Sequence, residues 1–208
     1  METPLSVCRK LADAPFSYLF ESVEGGDKWA RYSLIGLPSK KIIKIMKNLI
    51  EIVEGDEVKE TIEVENPLEY IKSLHNSFSL KEISGLPKFT GGLVGYFSYD
   101  CIRMIENRLI NSEPIDLLQT PDALLMISEE VAVFDNLKNR LHLIVMVESE
   151  DEETLAKAES RLDELEQKLK ENYQFEEFSK PNDSVDESDF VSSFGEKEFK
   201  SAVNSVKE

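Results

Sequence analysis

Histidine and cysteine are scarce, with two of each in 208 residues. His75 falls in a segment read as helix and His142 in one read as strand, so no histidine cluster is available for a metal ion, and each is read as structural. Cys8 and Cys101 make neither a disulfide framework nor a CxxC site. They read as free buried thiols, which agrees with a reducing compartment. No apolar run approaches the roughly 20 residues of a membrane span, and the N-terminus has no basic-then-apolar leader pattern. A soluble, cytoplasmic chain follows. Positive charge is also short: 24 Lys+Arg stand against 41 Asp+Glu, a net charge of −17. That balance argues against nucleic acid and anionic membrane as partners, since both repel a negative surface. The deficit is uneven, at −6 over residues 1–147 and −11 over residues 148–208.

A phosphate loop is missing as well. Gly91-Gly92-Leu93-Val94-Gly95 has no following Gly-Lys-Ser/Thr, and its spacing fails the dinucleotide fingerprint. Glycines in a strand more often permit close backbone approach or a bulge. What is present is a globular composition, 41% hydrophobic and 9% aromatic, which is too apolar for disorder throughout.

Period-two patterning marks strands at Phe16–Val23, Ala30–Ile35, Lys41–Ile45, Leu49–Val53 and Val58–Val64, separated by Gly25-Gly26-Asp27, Lys47-Asn48 and Gly55-Asp56 turns. This reads as an antiparallel meander. Asn66-Pro67 starts a helix in which Leu68, Ile71, Leu74 and His75 recur at helical spacing. Phe89–Asp100 reads as a glycine-bearing strand and Asp100–Arg108 as helix. Ala123–Phe134 and Leu141–Val147 bracket Asp135–Asn139 as a long hairpin. Ser149 to Glu152 has the form of a capping box, ahead of a stripe at Leu155, Ala158, Leu162, Leu165 and Leu169 that should cover a sheet. Residues 179–189 are polar, acidic and contain Pro181, as a linker would. An amphipathic segment follows, with Phe199, Ala202, Val203 and Val206 on one face. The fold class expected is α+β: a largely antiparallel sheet or sandwich with a few packed helices over residues 1–178, the linker at 179–189, and the start of an α/β domain at 190–208.

Two places put polar groups against apolar strands. Glu21 and Ser22 interrupt the first strand just before a glycine turn, and Tyr99, Asp100, Arg103 and Glu106 follow the glycine-bearing strand. For the second, Arg103 and Glu106 three apart on a helix face read as an ion pair pinning a helix. The first reads either as a strand end whose Ser and Glu satisfy local backbone groups, or as a pocket with an aromatic wall and polar rim for an amino-acid headgroup.

At these residues the chain resembles a known family. Leu19-Phe20-Glu21-Ser22-Val23, running through Arg31-Tyr32-Ser33 to Gly36, is similar to the N-terminal motif of anthranilate synthase component I, written Leu-Leu-Glu-Ser followed by Arg-Tyr-Ser. Phe89–Glu106, with its Tyr-Asp-x-x-Arg pattern, resembles that family's second block, Pro121-Asp122 through Asp135-Asn136 its third, and Phe190–Glu208 the entry into its chorismate-binding domain. The resemblance implies a chorismate-using lyase that forms anthranilate and pyruvate. Ammonia would come from a glutamine amidotransferase subunit, component II, and Mg²⁺ would be bound by a catalytic domain of which only the opening lies here. No catalytic residue and no metal ligand is therefore expected among these residues. The resemblance further implies a tryptophan-binding inhibitor site at Ser22, Glu21, Leu19, Tyr32 and Ser33, its second wall supplied by the absent domain. Phe20 departs from the usual leucine, either repacking the core or narrowing the pocket. Two other readings share parts of the pattern: an aminodeoxychorismate synthase component of folate biosynthesis, and a non-catalytic amino-acid-binding regulatory module. The Glu-Gly-Gly-Asp-Lys-Trp-Ala-Arg-Tyr-Ser run favours anthranilate synthase.

Overall fold

The computed structural model describes residues 2–21, 31–78, 83–109, 116, 118–171 and 185–207. They fall into two compact units, Met1–Asn172 and Tyr173–Glu208. In chain order the first unit carries helix α1 (Pro4–Leu11) and strands β1 (Tyr18–Phe20), β2 (Tyr32–Gly36), β3 (Lys41–Met46), β4 (Leu49–Glu54) and β5 (Glu57–Glu63). Helix α2 (Pro67–Ser77), β6 (Gly92–Phe97), two 3-10 turns (Tyr99–Met104 and Asn107–Leu109), β7 (Ala123–Ser128), β8 (Glu130–Asp135), β9 (Arg140–Val145) and α3 (Glu152–Lys170) complete it. The second unit has a 3-10 turn at Glu187–Asp189 and helix α4 (Glu196–Lys207). No helix among the described residues is long and apolar enough to cross a membrane.

The architecture is α+β with two antiparallel sheets, a four-stranded one in the order β1-β2-β8-β9 and a five-stranded one in the order β5-β4-β3-β7-β6. Their partition differs from the sequence reading twice. The run Ala123–Phe134 is not one strand: the chain leaves the larger sheet after Ser128 and enters the smaller one at Glu130. The opening meander is likewise divided, with β2 in the smaller sheet and β3 to β5 in the larger. The two crossings are tied together at Ser39, whose hydroxyl donates to the Ile127 carbonyl at 2.7 Å while its amide donates to Phe16 O at 3.0 Å. Both faces of β7 and β8 are largely buried, so hydrophobic patterning passes unbroken through the change of sheet.

Each sheet has its own helical cover. Against the smaller sheet, α1 and α3 enclose Val7, Leu11, Ile35, Ala132, Phe134 and Leu165, joined at the margin by Leu19, Leu143 and Leu169. Leu165 is the one fully buried residue of α3, and its burial contributes roughly 1.5–3 kcal/mol. The far end of the expected stripe, Leu155, is exposed. Helix α1 lies ahead of the first expected strand. It is held by a reciprocal Thr3–Ser6 cap and by Lys10, whose Nζ donates to the Leu169 carbonyl at 2.6 Å. Its two buried positions, Val7 and Leu11, are too few to make a visible period.

Beside the larger sheet, Tyr70, Ile71 and Leu74 of α2 pack on Ile43, Ile45, Ile50 and Leu125. Asn66 accepts from the Leu68 amide at 3.0 Å and Pro67 opens the helix, as its sequence indicates. His75 turns to solvent instead of joining the stripe. The cap of α3 also shifts: Asp151, not Ser149, accepts from the Thr154 amide at 2.8 Å, and Ser149 hydrogen-bonds Asp151 in turn. The segment after β6 forms short 3-10 turns in place of a regular helix.

Candidate effector-binding site

Strand period two assigns the motif residues to faces. Leu19 pairs with Ile35 and Ser33 with Phe134, and Leu19, Ile35 and Phe134 all belong to the core under α1 and α3. Leu19 and Ser33 thus share the helix-covered face as diagonal neighbours on paired strands. Ser33 is only 2% exposed. Tyr32 takes the opposite face, with the Arg31 guanidinium 4.8 Å from its ring centroid. Phe20 lies there too, half exposed, its ring 4.9 Å from that of Tyr18. Tyr18 in turn covers Gly36, where a Cβ would lie 1.9 Å from the tyrosine ring, and its hydroxyl meets Ser128 Oγ at 2.8 Å. Glu21 follows β1 as an exposed residue, close enough to α1 that its charge, after burial and Asp13, helps push the Cys8 thiol up. Ser22 lies outside the described residues, as do Val23–Ala30. The structure therefore brings Leu19, Ser33 and Glu21 to one edge of the smaller sheet and sets Tyr32 on its other face.

Sequence reasoning missed the residues that hold this edge in place. The side chain of Asp135 is 3% exposed and accepts from Arg31 Nη2 at 2.9 Å and Nε at 3.3 Å, and from the Lys138 amide at 3.1 Å. Beside it the Asn136 amide donates to the Arg31 carbonyl at 2.7 Å, and its Nδ2 donates to Ser33 Oγ at 3.4 Å. The available signal was an acid ending the apolar strand Glu130–Asp135 opposite Tyr32. Turn chemistry alone accounts for Asp-Asn there, which concealed it.

The Arg31 guanidinium, helped by the Lys138 amide, holds the Asp135 carboxyl down at about 2, from its ordinary 3.8. A carboxylate lowered on folding contributes stability above its unfolded value and loses it as pH falls through the folded one. Asp135→Asn should therefore flatten the stability profile between about pH 4 and pH 2. Urea melts of both forms across that range check this, and parallel profiles would contradict it.

The second odd segment is structural in its contacts. Arg103 Nε donates to Asp100 Oδ1 at 3.0 Å and its Nη1 to the Leu109 carbonyl at 2.8 Å, while Glu106 lies 3.6 Å from Arg108. The expected i,i+3 pin is thus made by Asp100 and Arg103. Among the described residues no group of three or more His, Cys, Asp or Glu side chains could hold a metal ion. A cleft of about 470 Å³ lies beside α3, lined by Lys40, Lys157 and the Arg161–Glu130 fork, and none of the motif residues lines it.

Fold and motif residues together define an antiparallel α+β module, and comparison with known proteins places it. The family model described as chorismate binding enzyme matches residues 24–208, and the chain belongs to that family. It is 41% identical over 214 residues to anthranilate synthase component 1 of Pseudomonas putida, covering 100% of this chain and 42% of that protein. Against the protein of the same name from Pseudomonas aeruginosa it is 44% identical over 170 residues, 81% of this chain and 34% of the relative. For Neisseria meningitidis serogroup B the figures are 40% over 213 residues, 100% and 42%. The chain thus spans about two fifths of the length of these relatives or somewhat less. The crystal structure of anthranilate synthase component I from Streptococcus pneumoniae matches with a TM-score of 0.51 at 23% identity, over 79% of this chain and 35% of that one, a likeness of fold.

Proposed function

We propose that the chain is the tryptophan-sensing part of an anthranilate synthase component I. The complete protein would be a carbon–oxygen lyase of the cytoplasm that converts chorismate and ammonia to anthranilate and pyruvate in tryptophan biosynthesis. Component II, a glutamine amidotransferase subunit, would supply the ammonia. The observation that carries this reading is identity of 40–44% to proteins of that name across most or all of the chain. This reading assigns Mg²⁺ and the chemistry at chorismate to the catalytic domain of the full-length protein.

Within the chain, the sensing role falls to the edge formed by β1 and β2. Glu21 offers an exposed carboxylate to the ligand ammonium, the Ser22 hydroxyl can meet either charged group, and aromatic and aliphatic strand faces suit an indole ring. Because Ser33 is buried, its part is to fix the strand; direct contact falls to Glu21 and Ser22 with Leu19 on the apolar wall, while Tyr32, on the opposite face of the sheet, stands outside the direct contacts. Calorimetric titration of tryptophan into the full-length protein should give a saturable heat that the 208-residue chain alone lacks. No heat from the full-length protein would refute the sensing role. Micromolar binding by the chain alone would refute a second wall supplied from outside it.

A further inference from the structure

The end of β8 and the turn after it make four contacts to Arg31 and the first residues of β2. Asp135 forks onto the Arg31 guanidinium, the Asn136 amide takes the Arg31 carbonyl, the Asn136 side chain reaches Ser33 Oγ, and Tyr32 lies between them in register with Asp135. This is more than a hairpin needs. The Lys138 amide bonded to Asp135 already closes the turn. The remaining bonds all point to the neighbouring strand, and they converge on the segment that carries two of the five motif residues. They run from 2.7 to 3.4 Å and are screened from water on the Asp135 side, where a lost charge partner is felt most. Arg31 is also the described residue nearest in sequence to Ser22 on its C-terminal side.

We propose that Asp135 and Asn136 are positioning residues for the effector site: the β8–β9 turn clamps Arg31 and Ser33 so that the Arg31–Ser33 edge is held ready before the ligand arrives. They touch no ligand themselves. Their effect is preorganisation, which raises affinity by removing the cost of ordering the strand at the moment of binding. The inference rests on the tryptophan-sensing reading above and adds to it the part of the fold that sets effector affinity.

The test uses the full-length protein and reads the tryptophan inhibition constant. Asp135→Asn keeps the side-chain shape and an acceptor for the Lys138 amide but removes the charge that holds Arg31. It should raise the inhibition constant about tenfold, equivalent to about 1.4 kcal/mol. Asn136→Ala should raise it in the same direction, and Asp135→Glu, which restores the charge, should recover part of the loss. Leu165→Ala serves as the control for general destabilisation, because it opens a cavity in the same core without touching the clamp. Its inhibition constant should stay within about twofold of the parent. An unchanged constant in Asp135→Asn, or an equal shift in Leu165→Ala, would overturn the positioning role while leaving the sensing reading intact. A parent protein that tryptophan does not inhibit would overturn both, and that result is visible before any variant is made.

Discussion

Ser22→Arg in the full-length protein should raise the tryptophan inhibition constant about a hundredfold or more, equivalent to roughly 2.8 kcal/mol. Two effects act together. A guanidinium on a long side chain fills space that the ligand headgroup would take, and it places a cation beside the ammonium of any α-amino acid. The ligand carboxylate offsets part of that repulsion, so the exclusion of the headgroup by the longer side chain carries most of the effect. The exposed carboxylate of Glu21 next to it offsets part of the added charge, which is why the double variant Glu21→Gln/Ser22→Arg should be still less sensitive. Inhibition curves for parent and variants check this. An unchanged constant in Ser22→Arg would remove Ser22 from the site and leave the polar strand end with a purely local role.

The second large effect concerns the glycine-bearing strand. Gly95 of β6 pairs with Leu125 of β7, and a Cβ added there would lie 1.8 Å from the Leu124 carbonyl oxygen and 2.9 Å from Leu125 Cα. Both neighbours are backbone, so no rotamer change relieves the contact. Gly95→Val should push β6 off β7 and cost about 3 kcal/mol or more. β6 is the edge of the five-stranded sheet, and its loss would uncover Leu125 and Ile127 in the core beneath α2. Thermal unfolding of the variant tests this directly. A melting temperature within a degree or two of the parent would mean that β6 is not packed as described. Gly95 and Gly91 thus serve close backbone approach, the reading the sequence favoured over a phosphate loop, whereas a Cβ at Gly92 would meet nothing.

Legibility was uneven for physical reasons. Strands rich in Ile and Val, such as β3 and β4, and the Asn66-Pro67 helix start carry local signals that the structure reproduces, because turn and cap chemistry act over a few residues. Which sheet each strand joins was not legible. The crossings are marked by bonds between residues about ninety positions apart, Ser39 to the Ile127 carbonyl and the Leu37 amide to the Glu130 carbonyl, and a buried strand is apolar whichever sheet it enters. Of the motif residues, Leu19 and Ser33 share a face, whereas Tyr32 follows the strand pleat to the other side. The Asp135–Asn136 clamp could not be read, since its partners Arg31 and Ser33 lie about a hundred residues earlier and Asp-Asn in a turn needs no further explanation.

One assay tests most directly whether this chain is part of a tryptophan-regulated anthranilate synthase. The full-length protein, supplied with chorismate, ammonia and Mg²⁺, should generate the fluorescence of anthranilate with one pyruvate released per turnover, and added tryptophan should suppress the signal. Formation of an aminodeoxychorismate in place of anthranilate, with no pyruvate and no response to tryptophan, would contradict the account.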